Sequence, residues 1–90
     1  MDRELIARNI INIIDVEHCH DYHIFMNDDL YEQLKNYLNK LCDDHYKVQQ
    51  LMDKNQSLIT MIVNNVSMSI EQKNEFFESL REFKRKYLMK

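Results

Sequence analysis

The chain has neither glycine nor proline in its 90 residues, and that absence limits its folds more than any motif it carries. Glycine supplies the left-handed turn positions, and proline the abrupt stops, on which tight β-architectures rely. Helices demand less, because Ser, Asp and Asn cap their starts and Asn can end them. The expected fold is therefore all-α: a small three- to four-helix bundle or a long helical hairpin, spanning residues 1–90 as one helical domain. A chain this short buries only a thin core, so a dimer with coiled-coil-like packing, or a metal, is an expected source of further stability.

Apolar periodicity places the helices. Leu5, Ile6, Ile10, Ile13 and Ile14 recur at helical spacing after Asp2, although β-branched isoleucines lower the intrinsic propensity of that stretch and leave packing to hold it. The segment from Glu17 to Met26 reads as a connection, followed by Asn27-Asp28-Asp29 as cap and first-turn acids. Leu30, Leu34, Tyr37, Leu38 and Leu41 then form a stripe that continues through Val48, Leu51, Asn55, Leu58, Ile62 and Val66 close to a heptad seam. Residues 28–66 are thus one long helix, or two with a break at Asp43-Asp44 or around Asn55. The dense apolar stretch from Leu58 to Val66 is expected to be the most buried helix. Ser69-Ile70-Glu71-Gln72 has the spacing of a capping box, and it opens a last helix expected to turn Ile70, Phe76, Phe77, Leu80, Phe83 and Tyr87 inward.

Charge is distributed unevenly. Residues 1–45 hold ten acids and four bases, net −6, and residues 46–90 hold five acids and eight bases, net +3. Such polarity can orient a charged partner or favour antiparallel self-association, but a total of −3 disfavours nucleic acid, which calls for a basic excess. No run of apolar residues is long enough to span a bilayer, and Met1-Asp2-Arg3-Glu4 does not open like a signal peptide. The expectation is a cytoplasmic protein with reduced thiols and no membrane partner. A single alanine, Ala7, beside many Ile, Asn, Lys and Asp points to an AT-rich coding sequence, such as that of a phage, a large DNA virus or an AT-rich bacterium; for a viral source the compartment is the host cytoplasm.

All four histidines and both cysteines fall between residues 18 and 45. Cys19 and His23, together with Cys42 and His45, have the ligand types of a Cys2His2 zinc site, and their separations put each pair on one face if the pair lies on a helix. A structural zinc would add its binding free energy to folding. Against this, the spacing matches no zinc-finger pattern, and a polar loop with a buried Cys42 accounts for the same residues; the leading expectation has no cofactor. Asp28-Asp29 and Asp43-Asp44 are better explained as caps than as cation ligands.

Nothing in the chain resembles an oxyanion cradle, a glycine-rich phosphate loop or an oriented nucleophile and base, so no enzyme is expected. The leading functional expectation is a helical protein–protein interaction module, a regulator or inhibitor that binds and masks another protein, acting as a homodimer. Phe76, Arg81, Lys84, Arg85 and Tyr87 are its candidate contacts, because they combine aromatic surface with the basic end of the last helix. The alternatives are a zinc-stabilised helical binding protein and a nucleic-acid-binding dimer that uses the same basic tail.

Overall fold

A computed structural model of the chain describes residues 3–14, 25, 26 and 28–88. These form five α-helices: α1 (Arg3–Ile14), α2 (Leu30–Leu41), α3 (His45–Lys54), α4 (Gln56–Val63) and α5 (Ile70–Phe83), the last continuing into a π-helical turn, Lys84–Leu88. No strand occurs among the described residues. The all-α expectation holds, but the helix count exceeds three to four. A single helix over residues 28–66 would be about 58 Å long at 1.5 Å per residue, whereas the longest extent of the molecule is 34 Å. The long hairpin is thereby excluded, and the alternative of a bundle stands.

The stripe that looked continuous is broken twice. At the first break Cys42 is extended (φ −128°, ψ 127°) and Asp44 caps α3, its side chain accepting a hydrogen bond from the Lys47 amide. At the second, Asn55 is only 2% exposed, and both its Nδ2 (3.0 Å) and its backbone N–H (3.2 Å) donate to the Leu51 carbonyl. A buried amide needs such partners. Asn55 therefore bends the chain between α3 and α4 while its carbonyl accepts from the Ile59 N–H at 2.9 Å.

The end of α4 answers how a chain without glycine turns. Asn65 has φ 55°, its N–H donates to the Ile62 carbonyl at 3.2 Å, and the Val66 N–H donates to the Met61 carbonyl at 2.9 Å. These two bonds make a Schellman cap, with Asn in the left-handed position that glycine usually takes. Ser69 and Gln72 then form the expected capping box: the Ser69 hydroxyl accepts from the Gln72 N–H at 3.1 Å, and Gln72 Oε1 accepts from the Ser69 N–H at 2.9 Å.

Helix α1 packs chiefly against α5, α2 packs against α3 and α4, and α3 also touches α5, so it joins the two pairs. Buried side chains from every helix form one cluster. Six residues of α1 are buried but only Ile59 and Ile62 of α4, so α1 and not the 58–66 segment is the most enclosed helix. Leu5, Val66 and Ile70, expected inside, are 52%, 46% and 76% exposed. Ile70 is the first residue after the Ser69 cap, before the turn that faces the core.

Three outcomes follow for stability. Asn65→Gly is expected to hold or raise the melting temperature, and Asn65→Ala to cost about 1 kcal/mol, because alanine lacks the local hydrogen bonding that lets Asn adopt the left-handed conformation. Ser69→Ala should cost about 1 kcal/mol through the lost cap. Urea unfolding followed by circular dichroism checks all three.

Candidate functional site

Helix α3 repeats a pattern that the apolar stripe conceals. Lys47, Gln50, Leu51 and Lys54 stand at spacings of three, four and seven, which places them along one helix face. Where α3 meets the end of α5, these residues line one wall of a groove, and Ser79, Glu82, Phe83, Lys86 and Tyr87 line the other. Its cavity measures about 230 Å³. Leu51 and Phe83 are buried and form its apolar floor, while Gln50, Lys54, Glu82 and Lys86 are exposed at the rim.

The π turn shapes the second wall. Phe83 and Leu88, five residues apart, are both buried; i→i+5 bonding brings such a pair onto one face, where an α-helical turn would separate them. Tyr87, four residues after Phe83, lies beside it, ring centroids 5.0 Å apart at 50°.

Lys86 Nζ lies 2.8 Å from Glu82 Oε1. The hydrogen bond and charge of Lys86, helped by Lys54 and Arg85, hold the Glu82 carboxyl below its usual range, and Glu82 in turn raises the Lys86 ammonium. Lys47 and Lys54 have no ion-pair partner among the described residues. Three lysines against one glutamate leave the groove net positive, within the basic half of the chain.

The sequence-predicted contacts divide. Tyr87 lines the groove, and Arg85 and half-buried Lys84 flank it on the π turn. Arg81 is exposed and paired with Glu78 on the outer face of α5. Phe76 is 1% exposed and is a core residue, so it offers no contact surface. It and Phe77, ring centroids 5.7 Å apart, both point into the bundle. Lys47, Gln50 and Lys54 were not singled out by sequence, although their spacing was legible.

Of the four candidate zinc ligands, Cys19 and His23 lie outside the described residues. Cys42 and His45 fall on opposite sides of the α2–α3 junction and not on one helical face. The Cys42 thiol is 5% exposed and joins the hydrophobic core, its Sγ 3.8 Å from the Asp44 carbonyl oxygen, whereas His45 is exposed. Asp28 pairs with Arg3 at 3.3 Å, and Asp29 and Asp44 occupy the N-cap positions of α2 and α3. Among the described residues no helix is long and apolar enough to cross a membrane.

Comparison of the chain with family models, curated proteins and solved structures finds no match.

The Glu82–Lys86 pair gives a pH-dependent outcome. A depressed carboxyl favours the folded state above its unfolded pKa, and the benefit is lost as pH falls through the folded value. Carbon-detected NMR titration should place the Glu82 midpoint below that of the other exposed glutamates, and Lys86→Ala should move it back up. For Cys42, chelator treatment of tag-free protein is expected to leave the melting temperature unchanged, as for a thiol that serves as a small core residue.

Proposed function

We propose that this chain is a helical protein-binding module, a regulator or inhibitor that acts by covering part of another protein's surface. The observation that carries this reading is the groove between α3 and the α5 terminus: a small apolar floor of Leu51 and Phe83 within a charged, exposed rim. An apolar centre ringed by polar groups is the anatomy of a protein-recognition surface. Its lining residues are lysines, an ion-paired glutamate and two aromatic rings, groups suited to holding a partner's side chain.

Exposed apolar residues elsewhere add to the case. Tyr46 at the start of α3 and Ile70 at the start of α5 are 69% and 76% exposed, and each offers apolar surface that a partner could cover. The polarity between the two halves of the chain favours an oriented encounter with a charged partner. In this reading the partner is a protein of the cytoplasm in which the chain is made, viral host or otherwise, and a homodimer is the form in which a chain of this size would present its surface.

Pull-down from the native source, with the full chain as bait, tests the reading. A stoichiometric protein partner, retained in moderate salt and released by excess untagged chain, is expected, and light scattering should show a dimer of the free protein. A monomer that recovers nothing would remove the proposal.

A further inference from the structure

We infer that the groove between α3 and the α5 terminus takes an acidic polypeptide segment whose single apolar side chain is flanked by two carboxylates, an inference that rests on the protein-binding reading and specifies the partner's chemistry. Lys47 and Lys54 sit seven residues apart on one face of α3, about 10.5 Å along the axis at 1.5 Å per residue. Both line the groove, and Leu51 lies between them in the sequence and in the floor. A partner helix with acids at i and i+7 and an apolar residue at i+4 presents the same spacing in opposite charge. The cavity, about 230 Å³, is of the order that receives one large side chain between Leu51, Phe83 and Tyr87.

Charge explains why Lys47 and Lys54 meet the carboxylates. Lys86 is already engaged by Glu82 at 2.8 Å, whereas the two α3 lysines have no ion-pair partner among the described residues. Gln50, exposed on α3 and lining the same wall, offers both a donor and an acceptor. That pairing suits a polar side chain of the partner that both donates and accepts, and is half wasted on a phosphate, which only accepts. A nucleic-acid backbone would also meet Glu82 in the groove, on a chain of net charge −3 with Glu71, Glu75 and Glu78 adding negative charge to the same helix. Discrete carboxylates can be placed to avoid these acids, and a continuous polyphosphate cannot.

The test uses the intact chain and a fluorescein-labelled synthetic helix bearing two glutamates seven positions apart with a leucine four after the first. Fluorescence anisotropy should show saturable binding that weakens about tenfold or more when both peptide glutamates become lysines, and similarly in the Lys47→Glu, Lys54→Glu double variant. Both positions are outside the core, and an unchanged thermal melt confirms that the double variant folds. Lys47→Ala with Lys54→Ala should give a smaller loss, because it removes attraction without adding repulsion. No saturable binding of the peptide, equal binding by the double variant, or tighter binding of a poly-dT oligonucleotide than of the peptide would each overturn the inference. A concentration-dependent dimer abolished by the double variant would also overturn it, by placing a second copy in the groove. Capture of the native partner equally well by the double variant would sink the groove assignment while leaving the protein-binding reading in place.

Discussion

Ile10 and Ile14 have no measurable exposure where α1 lies along α5, and the remainder of the bundle is built around that contact. A helix containing four isoleucines in five positions gains little from propensity; it persists because six of its residues are removed from water. In return it covers the Phe76, Leu80 and Phe83 side of α5 within the common core. Helix α3 touches α5 on another side, and α2 packs against both α3 and α4. The groove is a by-product of this packing: it lies where α3 and α5 meet at their charged edges.

How much of this was legible in the sequence varies with the distance over which each feature is determined. Caps are local, so Ser69-x-x-Gln72 and Asp44 could be found from the residues alone and do what their chemistry requires. The breaks between α2, α3 and α4 were harder. A chain that folds back keeps its apolar stripe toward the same core, so Leu34, Leu38, Val48, Leu51, Ile59 and Ile62 continue with little change of phase across both junctions. Periodicity reports the buried face and is silent about the direction of the axis. Asn55 admitted a register-fixing polar contact or a loop, and it serves as a buried hinge that satisfies itself on Leu51.

The site was less legible because its walls are separated by a whole helix and two junctions in sequence. The basic, aromatic end of α5 was visible, and Tyr87 lines the groove. Nothing local said that it opens onto Lys47 and Lys54, since an apolar reading of α3 passes over the residues beside the stripe. Phe76 stood both on the inward stripe of the last helix and among the candidate contacts, and the wide inner face of α5 decides for the first, receiving both Phe76 and Phe77. Cys42 and His45 were judged by helical spacing that the extended residue at 42 removes.

The π turn at Lys84–Leu88 makes the end of this chain sensitive to length in a way the rest is not. A π turn holds one residue more than an α turn. Deleting one residue among 84–86 would let the segment relax into regular α-helix with Leu88 still able to reach the core. The same change would remove one of the cations Lys84, Arg85 and Lys86 and bring Tyr87 from four residues after Phe83 to three, still a neighbour on the helix surface. A single deletion here would thus leave the core contact of Leu88 within reach while changing the charge of the wall that faces α3.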